Sequence, residues 1–249
     1  MTDLPLRDRT TIVLALTGLA AVSWLYMYWQ LSPTAEMAMP VAFSRWTAGD
    51  FALNFAIWWV MMPGMMLPSA MPMILTFATV NRRKRFRGQP VLPTAVFTAG
   101  YLVAWGLFGI AATLADWGLE QAALMSPTTQ RLSPTLGAAV IIVAGVYQLT
   151  PLKYACLTHC RSPFDFVLNR WHDGSVGALR MGFEHGLYCL GCCWCLMALL
   201  FAAGMMSLLW MAAITAFVLA EKLFPAGPWI ARASGVLMIA FGVYLTIWT

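Results

Sequence analysis

The chain has 249 residues, of which 61% are hydrophobic and only 10% charged, whereas a soluble domain carries about a quarter charged residues. Its formal net charge of +5 comes from short Lys and Arg clusters, not from a basic domain interleaved with aromatics, which argues against a nucleic-acid partner. Long apolar runs without two-residue alternation exclude a transmembrane barrel and predict an all-α, polytopic helical bundle in a lipid bilayer.

Seven uncharged runs predict spans at about 11–31, 53–79, 91–115, 133–152, 181–203, 206–223 and 230–248. The first follows Arg7 and Arg9. It is long for a signal-peptide core and no small-residue cleavage site closes it, so it reads as a retained anchor. The uncharged stretch 186–220 exceeds one crossing and divides at Gly204 into a tight hairpin. Arg82, Arg83, Lys84, Arg85 and Arg87 mark the loop after the second run as cytoplasmic. Alternation then puts the N-terminus and the 153–180 loop (Lys153, Arg161, Arg170, Arg180) on the same side. Asp116, Glu120 and the C-terminus fall outside. Neither an internal repeat nor a linker divides the chain, which reads as a single integral membrane domain, 1–249.

The second run reads Met61-Met62-Pro63-Gly64-Met65-Met66-Leu67-Pro68-Ser69-Ala70-Met71-Pro72-Met73. Three prolines each remove a backbone donor and crowd the preceding turn, which predicts a broken helix of the kind that marks binding sites in transporters. Met62, Met66, Ser69 and Met73 share one face if the helix persists. Methionine also fills irregular apolar gaps, so the thioethers alone decide nothing. Met205 and Met206, at the predicted outer turn, read as packing residues or as an ion's exit point.

After the fourth run, Cys156, His159 and Cys160 are spaced i, i+3, i+4 and share a face of a short helix, with Lys153 and Arg161 as nearby cations that favour thiolates. The spacing suits two or three metal ligands but lacks the second pair of a zinc finger. The fifth run carries the densest chemistry: His185-Gly-Leu-Tyr-Cys189-Leu-Gly-Cys192-Cys193-Trp-Cys195. At 100° per residue, Met181, His185, Cys189 and Cys192 fall within about 80° of one another, Cys193 on their edge and Cys195 elsewhere. Gly182 and Gly186 beside them allow close approach of a second helix. An ionisable residue in an apolar span is a functional hypothesis by default, and thiolates with imidazole are ligands for Cu(I) or Zn(II), thioethers tilting the choice to Cu(I). The overlapping Cys-x-x-Cys units at 189/192 and 192/195 support a second reading, thiol–disulfide chemistry, which an intact helix makes geometrically awkward. A third reading has the cysteines simply packed.

The remaining polar residues read more plainly. Glu184 pairs with Arg180 one turn back, His172-Asp173 forms a solvated turn, and Glu221-Lys222 anchor the sixth span at the interface. No nucleophile elbow, phosphate-cradling loop or carboxylate pair is present, which argues against an ordinary hydrolase.

Three segments carry a resemblance: Met-Met-Leu-Pro-Ser-Ala-Met-Pro-Met (65–73), Tyr147-Gln-Leu-Thr-Pro-Leu-Lys153 with Cys156-Leu-Thr-His-Cys-Arg-Ser-Pro163, and His185 through Trp194. With the 201–222 segment, they make the chain resemble a bacterial family of predicted metal-binding integral membrane proteins, a domain of unknown function described as copper-chaperone-like. The resemblance covers about 55–225. It implies a multi-pass inner-membrane protein that binds metal, copper before zinc, but neither a direction of transport nor an enzymatic cycle; the partners expected are the lipid bilayer, the metal ion and a metal donor or acceptor protein. The implied ligands are His185, Cys189, Cys192, Cys193, Cys156 and Cys160, with Met65, Met66, Met71 and Met73 secondary and Met62 added by its helical face. Cys195 departs from the pattern and is excluded. The expected function is Cu(I) delivery or translocation; the alternative is a quinone-linked thiol–disulfide protein.

Overall fold

A computed structural model describes residues 4–30, 46–85, 93–126, 131–204 and 207–248; Arg87, Met205 and Met206 lie outside the described residues. Nine helices are described: α1 (Leu6–Gln30), α2 (Ala48–Arg85), α3 (Thr94–Gln121), α4 (Pro134–Gln148), α5 (Pro151–Arg161), α6 (Pro163–Asn169), α7 (Gly174–Ala203), α8 (Leu208–Leu223) and α9 (Gly227–Trp248). The all-helical expectation holds. Five helices, α1, α2, α3, α7 and α9, are long and apolar enough to cross a membrane, and α4 with α5, bent by 65°, makes a sixth if taken as one span. The seven-span reading also needs α8, whose 16 residues rise about 24 Å against a hydrocarbon core of about 30 Å.

Large apolar side chains face outward as well as inward. Leu14, Val22, Leu25, Leu237 and Phe241 lie exposed on α1 and α9, while Asp116, Lys153, His185, Glu221 and Lys222 are buried. Ion pairs join Asp8 to Arg82, and Lys84 to Asp173 at 3.0 Å. They gather the start of α1, the end of α2 and the start of α7 at one end of the bundle. Glu120, which accepts a hydrogen bond from Trp46 Nε1 at 2.6 Å, and Asp116 lie toward the other.

The break expected in the second helix does not occur: α2 is continuous through Pro63, Pro68 and Pro72. A proline withholds its N–H from the carbonyl four residues back, so Pro68 strands Gly64 O. Trp24 Nε1 of α1 donates to that oxygen at 3.2 Å, replacing the missing partner from 40 residues away. The hydroxyls of Ser69 and Thr76 bond back to Met66 O and Pro72 O, both at 2.8 Å. Neighbouring helices enclose α2 on most sides and keep it continuous where an isolated segment would fail.

The tightest packing joins α3 and α7. A Cβ on Gly182 would fall on the carbonyl oxygen of Phe97, and one on Gly100 on that of Leu179. These glycines let the two backbones touch, as the 182/186 spacing predicts. This contact delivers the side chains of α3 to the cysteine face of α7.

Candidate metal centre

α5 starts where Thr150 caps it, accepting from Lys153 N at 3.3 Å, and Pro151 takes the first helical position, where its missing N–H costs nothing. The bend there lays α5 across α7. Cys160 Sγ lies 3.9 Å from Cys192 Sγ. Cys156 comes in one turn earlier, its Sγ 2.7 Å from where a Cβ on Gly191 would sit. The two cysteine motifs, residues 156–160 and 189–193, thus converge on a single locus.

α2 supplies thioether from the opposite side, Met66 Sδ standing 3.9 Å from Cys193 Sγ. The Cys192 and Cys193 thiols both donate to Cys189 O, at 3.1 and 2.9 Å, which fixes their rotamers along the helix. The other methionines do not share this contact. Met65 turns toward α1 and α8, lining a small gap with Met27, Met61 and Met211. Met62 and Met73 are buried and Met71 is half-buried in the core around α2.

His185, one turn before Cys189, sits in an aromatic box. Its ring lies 5.6 Å from that of Tyr101, 5.7 Å from Phe166 and 6.3 Å from Phe97. It is 3% exposed and neither ring nitrogen has a hydrogen-bond partner. Buried imidazole nitrogens without partners are unusual, and a ligand bond would satisfy one. Among the described residues no three His, Cys, Asp or Glu side chains already form a cage, so the donors are arranged as pairs. With metal–sulfur bonds of about 2.3 Å, two sulfurs on one ion lie about 3.8 Å apart at a tetrahedral angle and about 4.6 Å apart when collinear. Both sulfur pairs fall inside that interval, and all six cysteines are free thiols. Each of these two sulfur pairs is therefore spaced as two ligands of one soft ion would be.

Three readings from the sequence need correction. Glu221 and Lys222 are not interface anchors, being 1% and 7% exposed. Lys222 Nζ donates to Cys189 Sγ at 2.9 Å and to Ser69 Oγ at 3.1 Å. The cations beside Cys156 and Cys160 serve other partners: Lys153 pairs with Glu221 at 2.7 Å, and Arg161 donates to the carbonyls of Glu221, Phe224 and Pro225 at the end of α8. His159 lies on the side of α5 that faces α7, as its spacing predicts, but stacks on Tyr188 at 4.4 Å instead of joining the sulfurs. Tyr101, whose hydroxyl is 3.1 Å from Cys189 Sγ, carries no motif that would single it out in the sequence; Lys222 does, as a cation closing an apolar run. Glu184 pairs with Arg180 at 2.9 Å, as the helical spacing predicts.

Cys195 is buried but lies toward Lys153 and Tyr147, away from the other three cysteines of α7. No curated protein and no solved structure matches the chain. A family model described as a copper chaperone does match, over residues 55–245, a range that contains every thiol and thioether of this locus. The chain thus belongs to the PpoB2 family of copper chaperones.

Proposed function

We propose that the protein is a multi-pass component of a bacterial cytoplasmic membrane that binds Cu(I) inside its helical bundle and passes it on, by delivery to an acceptor protein or by translocation. One observation carries this reading: thiols from two separate helices and a thioether from a third meet at 3.9 Å spacings in a buried locus. Soft sulfur donors of this kind select Cu(I) over harder ions. Cys189, Cys192, Cys193 and Cys160 serve as thiolate ligands, Met66 as a thioether ligand and His185 as a nitrogen donor from its aromatic box. Cys156 lies on the approach from α5, while Met62, Met65, Met71 and Met73 act as exchange sites along α2.

The positive-inside rule orients the end bearing Arg7, Arg82, Lys84, Arg170 and Arg180 toward the cytoplasm, with the whole chain acting as one membrane unit. Seven crossings put the C-terminus outside and six put it inside, so a reporter fused after Thr249 distinguishes them. The copper reading is tested by elemental analysis of anaerobically purified protein beside a His185→Ala, Cys189→Ser variant. Stoichiometric copper lost in the variant supports it; equal copper in both, or none in either, overturns it.

The 3.9 Å separation of Cys160 and Cys192 also supports a second reading, a dithiol cycling between these helices. It differs from the overlapping Cys-x-x-Cys proposal because both of those units lie within the intact α7. A metal-free protein whose Cys160 and Cys192 interconvert between thiol and disulfide with a quinone favours it.

A further inference from the structure

Copper binding makes no use of a cleft of about 530 Å³ that lies between α4, α7, α8 and α9. α7 starts beside the Lys84–Asp173 pair and ends at Ala203, and Leu132 N, just before α4, donates to Phe201 O at 3.1 Å. The cleft therefore sits at the end of the bundle away from Lys84, with Arg131 at its mouth. Ala202, Ala203 and Ala213 face it with side chains too short to close it. Trp210 and Phe241 on its walls are exposed, so it opens sideways on the surface that lipid would cover.

Its depth matches one leaflet. Among its lining residues, Ile141 lies seven residues into α4, Phe217 nine into α8 and Met238 ten before the end of α9. At about 1.5 Å per residue these positions are about 10–15 Å below the helix ends, against half of a hydrocarbon core of about 30 Å. Apart from Arg131 the lining is apolar, Trp210 alone adding one polar side-chain atom. Such walls do not hold water, and leaving them bare forfeits the contacts of a filled interior. Arg131 is exposed, and no carboxylate among the described residues pairs with it. A bond from Ser126 N to Arg131 O at 2.8 Å fixes its backbone beside the end of α7. Its planar fork of donors matches phosphate. No acidic side chain lines the cleft to receive the ammonium of a zwitterionic headgroup.

We propose that this cleft is a binding site for one anionic phospholipid, with an acyl chain in the apolar slot and the phosphate on Arg131. A cation above an apolar slot one leaflet deep complements a charged head on a hydrocarbon tail; a quinone has no charge for Arg131 to meet. The inference rests on the membrane reading above and is independent of the copper reading.

The test uses the whole chain, delipidated in detergent and titrated with dioleoyl phosphatidylglycerol or dioleoyl phosphatidylcholine, the one-lipid adducts being read by native mass spectrometry. Wild type should bind phosphatidylglycerol about fivefold more tightly than phosphatidylcholine, the preference one cation gives at a lipid headgroup. Arg131→Gln should bring the two lipids to parity, and Arg131→Lys should keep most of the preference. Equal binding of both lipids by wild type, or a preference unchanged in Arg131→Gln, overturns the proposal. The tail is located separately with wild type and Trp210→Phe: one equivalent of phosphatidylglycerol with brominated acyl chains should quench the fluorescence that Trp210 contributes. Quenching that is the same in both proteins puts the lipid elsewhere and overturns the site. So does a quinone, or a second copy of the chain, found closing the cleft with no lipid adduct. Alkaline carbonate extraction of cell membranes separates the failures. Protein stripped by carbonate sinks the membrane reading and this inference together, whereas protein retained in the membrane but without lipid preference sinks this inference alone.

Discussion

The buried pair between Lys153 and Glu221 offers the sharpest test of how this bundle is held. Both side chains are 1% exposed, with Nζ 2.7 and 2.9 Å from the two carboxylate oxygens, and Gln148 Nε2 adds a bond to the carboxylate at 2.9 Å. At an effective dielectric constant of about 20, the attraction across 2.7 Å is about 6 kcal/mol. Desolvating two ions costs several kcal/mol each, so the intact pair nets little, whereas removing one partner strands the other and costs about 3–5 kcal/mol. Lys153→Met and Glu221→Met should therefore each destabilise the protein by about 3–5 kcal/mol, read as the midpoint shift in equilibrium unfolding by sodium dodecyl sulfate in mixed micelles. The double variant should return to within about 1 kcal/mol of wild type or exceed it, since apolar replacement of a buried pair is often neutral or stabilising. The resulting coupling energy, above about 3 kcal/mol, is larger than a surface pair can give. Single variants that cost under 1 kcal/mol, or a double variant that costs their sum, would refute the reasoning.

Three further outcomes follow from the packing and the helix ends. Gly182→Ala places a Cβ on the backbone of Phe97, which cannot rotate away, so α3 and α7 must part. The cost is about 1–3 kcal/mol, and copper retention should fall with it because Tyr101 leaves Cys189. Trp24→Phe removes the donor to Gly64 O and should cost about 1–3 kcal/mol. In a Pro68→Ala background that carbonyl regains an intrahelical N–H, and the same change should then cost markedly less in the same unfolding assay. Asp173, beside the start of α7, has its carboxyl held below the usual carboxylate range by the Trp171 indole N–H at 2.7 Å and the Lys84 ammonium at 3.0 Å. Because the folded value is the lower one, this contribution is present above the ordinary carboxylate pKa of about 3.9 and fades as pH falls through the depressed value. Thermal scans between pH 6 and 3 should show Asp173→Asn losing less stability on acidification than wild type; parallel curves would contradict the assignment.

The helical class is written in uncharged runs that no other fold would tolerate, and the cysteine face of α7 follows from its 100° step. The uncharged run 133–152, by contrast, conceals the break at Thr150-Pro151, where α4 ends and α5 starts. The local proline rule misleads at α2 because the donor that repairs Gly64 belongs to Trp24, on another helix. The pairing of Cys160 with Cys192 is hidden for a similar reason: it depends on the 65° bend that lays α5 across α7, and a bend angle has no residue code.

Glu221 and Lys222 mark the boundary between what the chain spells and what packing adds. Opposite charges closing an apolar run resemble snorkelling anchors. Successive helical side chains, however, diverge by about 100°, so two neighbours cannot reach one interface point together and are poorly placed to pair with each other. Each must find a partner on a different helix or remain in solvent. Here Glu221 finds Lys153 on α5 and Lys222 finds Cys189 on α7, so one turn of α8 ties down both cysteine-bearing helices. The last turn of α8 is thereby as much a part of the sulfur locus as the cysteines it holds in place.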